Sequence, residues 1–193
     1  LGQVEGERLA AVIADWIDPD NFTEVGGAED GVYSALPIPY STPGRPIADI
    51  SELRAMSGVT RLTYTQLARY LCARPGNEPH QINANLLTEA DAPLLVAVLG
   101  GRIAIDEAVE IIRSRPPVGY PGLEQFWANP LITGVFDNQT VPSDIRGRLS
   151  LNSQFFEARA EISRNGLTFE TTLLLQVGNG RAVTLARRYG RPT

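Results

Sequence analysis

The sequence contains one cysteine, Cys72, and one histidine, His80. A lone cysteine excludes an intramolecular disulfide and any multi-cysteine zinc site. A lone histidine excludes multi-histidine metal centres and the HExxH zinc motif, and no catalytic motif surrounds His80, which reads as a loop residue between Pro79 and Gln81. Phosphate-binding signatures are missing as well, because the pairs Gly26-Gly27 and Gly100-Gly101 lack the residues that a Walker loop or a G-x-G-x-x-G fingerprint requires after them. No apolar run approaches the ~18 residues of a transmembrane helix, and no secretory signal pattern precedes the first helix. Positive charge is also short: the formal net charge is −5, which disfavours general affinity for nucleic acid or anionic membranes. With this chemistry absent, the chain reads as a non-enzyme.

Acidic side chains are concentrated in one stretch, Asp15-Trp16-Ile17-Asp18-Pro19-Asp20 and on through Glu24 to Glu29 and Asp30. The first of them close an amphipathic helix, where the partial negative charge of the helix C-terminus makes further carboxylates unfavourable unless a cation compensates. An arginine from elsewhere in the fold could supply that charge, and so could a hard ion such as calcium, which takes oxygen ligands. A solvated acidic turn is the third reading. The spacing is not that of an EF-hand, since the glycine and glutamate its loop needs are out of place. Gly26-Gly27 would let the chain turn sharply and carry Glu29 and Asp30 back over Asp18 and Asp20.

Periodicity divides the remainder. Val4, Leu9, Val12, Ile13, Trp16 and Ile17 recur at helical spacing and predict a helix to about Asp18, ended by Pro19. Pro37, Pro39, Pro43, Gly44 and Pro46, within residues 31–50, predict an ordered connector without regular helix. Two helical hairpins then follow in tandem. The first runs from a cap at Asp49 or Ser51, turns at Ser57-Gly58, and returns through Thr63 to Leu71, with Cys72 placed on its apolar side. Pro75 to Pro79 is a turn; the second hairpin runs from a cap at Thr88 to Leu99, turns at Gly100-Gly101, and continues through Ile105 to Ile112. Pro116 to Asp144 reads as a covered loop with at most one short helix, its aromatics Phe126 and Trp127 directed to packing. From Phe156 the period changes to two, with Asn165-Gly166 and Gly178-Asn179-Gly180 as turns, predicting a three-stranded antiparallel meander. Its apolar face needs a cover, and the first helix is the expected one.

The acidic block Asp15 to Asp20, the group Gly26-Gly27-Ala28-Glu29-Asp30 with Tyr33, then Ser51-Glu52-Leu53-Arg54, then Ile82-Asn83-Ala84-Asn85 occur in an order and at intervals similar to those of one family. The chain resembles the K-type minor pseudopilins of the bacterial type II secretion system. That resemblance implies an α+β fold: a discontinuous pilin-like domain of residues 1–40 and 141–193, its N-terminal helix packed on the C-terminal antiparallel sheet, around an inserted all-helical domain of residues 41–140. It implies a structural subunit at the tip of a periplasmic fibre, capping it and helping to start its assembly with the I-type and J-type minor pseudopilins. It also implies an upstream leader and apolar helix that anchor the protein in the inner membrane. With this resemblance the acidic stretch is assigned to calcium, one ion or two, with Asp18, Asp20, Glu29 and Asp30 as ligands and Asp15 left to pair with Arg45 or Arg54. The alternative is a helix-hairpin-helix DNA-binding module built on the tandem hairpins. The turns Ser57-Gly58-Val59-Thr60 and Leu99-Gly100-Gly101-Arg102 lack the glycine, apolar, glycine pattern that this alternative needs.

Overall fold

A computed structural model describes residues 2–74, 81–136, 140–178 and 180–190. His80 and the predicted turn from Pro75 to Pro79 lie outside the described residues. The chain forms two compact units, Leu1–Asn77 and Glu78–Thr193, each with its own apolar core.

The first unit is organised by α1 (Gln3–Ile17), whose buried residues Leu9, Val12 and Trp16 recur every three or four positions. The Asp18 N–H still reaches the Ala14 carbonyl at 3.0 Å, but Pro19 cannot continue the ladder and the helix stops. Val12 and Trp16 pack with Ala28, Tyr33, Leu53 and Met56. Of the stripe expected to cover the terminal sheet, Leu9, Val12 and Trp16 are buried, while Val4 and Ile17 remain exposed. A one-turn helix, α2 (Asp30–Ser34), opens the proline-rich connector, which side chains then hold in place. The Tyr40 hydroxyl donates to the Ala55 carbonyl at 2.6 Å, and Tyr33 stacks between Trp16 and Tyr40 with ring centroids 5.3 and 5.2 Å away.

Asp49 caps a 3-10 helix (Ile50–Ala55), accepting from the Ser51 N–H at 2.8 Å, while Glu52 accepts from the Ala48 N–H and from the Trp16 indole. Thr60 caps α3 (Arg61–Leu67), its hydroxyl accepting from the Thr63 N–H at 3.1 Å. The helix expected to run to Leu71 therefore ends a turn early. Cys72 lies beyond it and is exposed, contrary to the expectation of a core position.

In the second unit, β1 (Ile82–Asn83) pairs in parallel with β2 (Leu149–Ser150), a long-range closure that the sequence pattern did not indicate. Asn85 acts as a substitute strand: its side chain accepts from the Tyr120 N–H at 2.7 Å and donates to the Tyr120 carbonyl at 3.1 Å. Asp91 reaches back to the Thr88 N–H and hydroxyl, opening a 3-10 turn that leads into α4 (Ala92–Val98). Gly100 and Gly101, at φ 71° and 72°, turn the chain into α5 (Ile105–Arg113). Three short helices follow, α6 (Leu123–Trp127), α7 (Pro130–Val135) and α8 (Ser143–Arg146), where the sequence suggested at most one. Helices of four to six residues are too short to display a period. Phe126, Trp127 and Ile132 from this segment are buried against Leu95, Leu99 and Ile111.

The predicted meander is present as β3 (Phe155–Arg164), β4 (Leu167–Gly178) and β5 (Arg181–Tyr189) in the order β3-β4-β5. Asn165 and Gly166, at φ 51° and 77°, form the left-handed turn between the first two strands. Register places Phe156 opposite Leu175 and Ile162 opposite Phe169, so these four share one sheet face. On that face Ile162 and Phe169 remain 62% and 52% exposed, leaving an apolar sheet surface with little cover.

Candidate metal centre

The first unit brings three carboxylates together, Asp15 and Glu29 buried and Asp18 half-buried. Asp15 and Asp18 are three positions apart across the last turn of α1, a spacing that puts both on one helix face. Glu29 enters from the residue before α2, after the chain has doubled back through Gly26, at φ 85°, and Gly27. One oxygen from each of Asp15, Asp18 and Glu29 can be chosen so that all lie within 4.8 Å of one another. Gly27 makes this close approach possible, because a Cβ there would collide with the Asp15 carboxylate.

Hydrogen bonding leaves the group unfinished. Asp15 is fully buried, and one of its oxygens accepts from the Glu24 N–H at 3.1 Å. Its other oxygen, Oδ1 of Asp18 and both oxygens of Glu29 are buried without a partner. Two unit charges at such a separation repel by roughly 3 kcal/mol even at an effective dielectric of about 20, and buried unpartnered oxygens add desolvation cost. No ion pair forms at Asp15 among the described residues, so the expected pairing with an arginine is not made, and Arg54 instead lies over the Tyr64 ring at 5.2 Å. Burial first, and then the charges of Asp15 and Asp18, hold the Glu29 carboxyl above its ordinary value. The group needs either a proton or a cation.

All the orphaned atoms are carboxylate oxygens, the donor type that suits a hard divalent ion. The residues present therefore fit such an ion. Of the four ligands expected from the sequence, Asp18 and Glu29 belong to this group. Asp20 and Asp30 do not come within it in the described geometry: exposed Asp20 caps a turn, accepting from the Phe22 N–H at 2.8 Å. Asp30 accepts from the Thr42 N–H at 2.7 Å and its hydroxyl at 2.9 Å, contacts that hold its carboxyl below the usual range. Asp15 takes the place they leave. Its one sequence signal was the three-residue spacing to Asp18 on a helix face that also carries Val12.

The same chain was compared with known proteins. A family model described as type II secretion system (T2SS), protein K, first part, matches residues 1–76, and a second model for protein K matches residues 82–145. The type II secretion system protein K of Pectobacterium carotovorum is 34% identical over 95% of this chain and 54% of its own length. That of Klebsiella pneumoniae is 30% identical with the same coverage. The chain thus spans about half the length of the curated relatives it matches. Among solved structures, the fold is similar to a chain of the GspK–GspI–GspJ complex of the type 2 secretion system from enterotoxigenic Escherichia coli. The TM-score is 0.82 at 26% identity, over 100% of this chain and 66% of that one.

The raised Glu29 carboxyl generates a pH prediction with a definite sign. A carboxyl whose folded value lies above its unfolded value near 4.5 contributes stability that is complete below the unfolded value and is lost as pH rises through the folded one. In chelator, the melting temperature is expected to fall as pH rises from mildly acidic to neutral, and Glu29→Gln should flatten that fall. Equal slopes for parent and variant in thermal melts across this range would remove Glu29 as the cause.

Proposed function

Because the chain belongs to the type II secretion system protein K family, we propose that it serves as a minor pseudopilin: a structural subunit, not an enzyme, at the tip of the periplasmic pseudopilus. There it caps the fibre and helps start its assembly with the I-type and J-type minor pseudopilins, as the periplasmic part of a protein anchored in the inner membrane. The observation that carries this reading is the fold likeness along the whole chain to a component of a complex containing GspK, GspI and GspJ. The DNA-binding alternative gains no support. A net charge of −5 supplies little phosphate affinity, and neither hairpin turn has the required glycine pattern.

On domain organisation we propose a discontinuous pilin-like part of residues 1–40 and 141–193 around an inserted helical part of residues 41–140; the antiparallel meander of β3 to β5 supports the pilin-like reading.

The ion is proposed to be calcium, tying the end of α1 to the loop that precedes α2. Calcium accepts six to eight oxygens in adaptable geometry, whereas magnesium demands a strict octahedron and retains its waters. Asp15, Asp18 and Glu29 form the proposed primary set. Asp20 and Asp30 are proposed as ligands only for a second ion.

Three measurements follow. Immobilised chain should capture purified I-type and J-type pseudopilins, and no capture of either would remove the fibre-tip reading. Calcium at 100 times its dissociation constant should stabilise the fold by about 2.7 kcal/mol. Magnesium should do far less, and Asp15→Asn or Glu29→Gln should abolish the effect while Asp20→Ala keeps it; calorimetric stoichiometry of two would bring Asp20 and Asp30 in. For the domains, limited proteolysis should cut first near residues 40 and 141, and early cuts elsewhere would remove these boundaries.

A further inference from the structure

In the second unit, the outer side of α5 and the start of α7 enclose an open groove of about 770 Å³. Its floor is aliphatic: Ile105 and Val109, one helical turn apart on α5, and Leu131 of α7. The core-facing side of α5 is supplied by Ala108, Ile111 and Ile112, with Val109 half-buried against the same core, while Ile105 and Leu131 remain 57% and 39% exposed. The rim is acidic, with Asp106, Glu107 and Glu110.

The groove is built before any ligand arrives. The Asn129 side chain donates to Ser114 Oγ at 2.9 Å and accepts from the Leu131 N–H at 3.0 Å, which ties the start of α7 to the end of α5. Its electrostatics are one-sided. Arg113, the cation at one end, is already engaged by Glu89 at 2.8 Å and Glu110 at 3.1 Å. Neither Asp106 nor Glu107 enters an ion pair among the described residues, although Glu107 caps the Ala104 N–H at 2.8 Å. The N-terminal dipole of α5 offsets part of this charge, since both residues lie in its first turn.

We propose that this groove docks an amphipathic helix of a partner protein, one that sets an aliphatic ridge on Ile105, Val109 and Leu131 and directs lysine or arginine toward Asp106, Glu107 and Glu110. The walls are helices whose backbone groups are bonded internally, so recognition must pass through side chains, as in helix-in-groove complexes and unlike strand addition. An acidic rim also repels anionic lipid headgroups, which sets a protein helix above a membrane surface. The surface belongs to the helical hairpin and is independent of the carboxylate cluster of the first unit.

The test uses the whole chain and two synthetic helical peptides, one with leucine at i and i+4 flanked by lysine, the other with glutamate in place of each lysine. Fluorescence anisotropy should show the lysine peptide binding, with backbone amide shifts confined to α5 and α7, while the glutamate peptide does not bind. Ile105→Glu and Asp106→Lys should each weaken binding by about tenfold or more, because one removes the aliphatic floor and the other reverses the rim charge. Leu62→Glu, an exposed change in the first unit, should bind like the parent. Circular dichroism verifies that each variant is folded. No binding at low salt, equal binding of the two peptides, shifts elsewhere, or undiminished binding by the folded Ile105 and Asp106 variants would each overturn the proposal, as would phosphatidylglycerol vesicles competing through the same residues.

Discussion

Three carboxylates held within reach of one another, with no ion pair to them among the described residues, are the constraint on which the first unit depends. Like charges at that separation cannot all remain ionised in a buried site without compensation. The surrounding structure does not relax the crowding; it enforces it. Trp16 and Val12 lock the end of α1 into the core, Gly27 leaves room where a side chain would strike Asp15, and the Glu24 N–H pins one Asp15 oxygen. The same end of α1 is tied by the Trp16 indole to Glu52, whose carboxylate also holds the start of the 3-10 helix. An ion at the cluster would therefore be felt through both the loop before α2 and the hairpin beyond the connector.

The second unit solves a different problem, that of keeping irregular chain ordered. Its helices are short, and much of its backbone lies outside regular structure, so side chains complete the hydrogen bonding. Asn85 pairs with both backbone groups of Tyr120, Arg115 donates to the Leu87 carbonyl at 2.7 Å, and Arg148 donates to the Val98 carbonyl at 3.3 Å. Buried polar backbone is costly when unpaired, which makes such side chains as necessary to this core as its leucines. The segment Ile82 to Asn85 is best understood in these terms. Asn83 accepts from the Asn85 N–H at 2.9 Å and donates to Ser153, while Ile82 joins the short parallel pair.

Among the described residues the structure presents an acidic cluster and exposed surfaces, and the proposed role as a fibre-tip subunit asks for rigidity and for distinct faces toward several neighbours. The proposed calcium site would supply rigidity in the first unit, and the proposed groove on α5 and α7 a face for a partner helix. The apolar side of β3 to β5, where Ile162 and Phe169 are exposed, is a further face.

Local pattern was sufficient wherever an element's own periodicity or turn chemistry decided it. The extent of α1, a cap at Asp49 or Ser51 and one at Thr88, the Gly100-Gly101 turn and the Asn165-Gly166 hairpin could all be read from the sequence. In each, the deciding interaction lies within a few residues of chain. The family was legible too, because its motifs are ordered blocks. What the sequence could not supply depended on contacts between distant segments. The pairing of Ile82 with Leu149, the three short helices before β2, and the packing of Val12 and Trp16 with Tyr33, Leu53 and Met56 each rest on tertiary contact rather than period. The carboxylates show the division most clearly. Composition and order located an acidic loop, but only the burial of one face of α1 and the tight turn at Gly27 brought Asp15, Asp18 and Glu29 together, while Asp20 caps a turn and Asp30 holds Thr42, because which oxygens lose water together is a property of the folded chain.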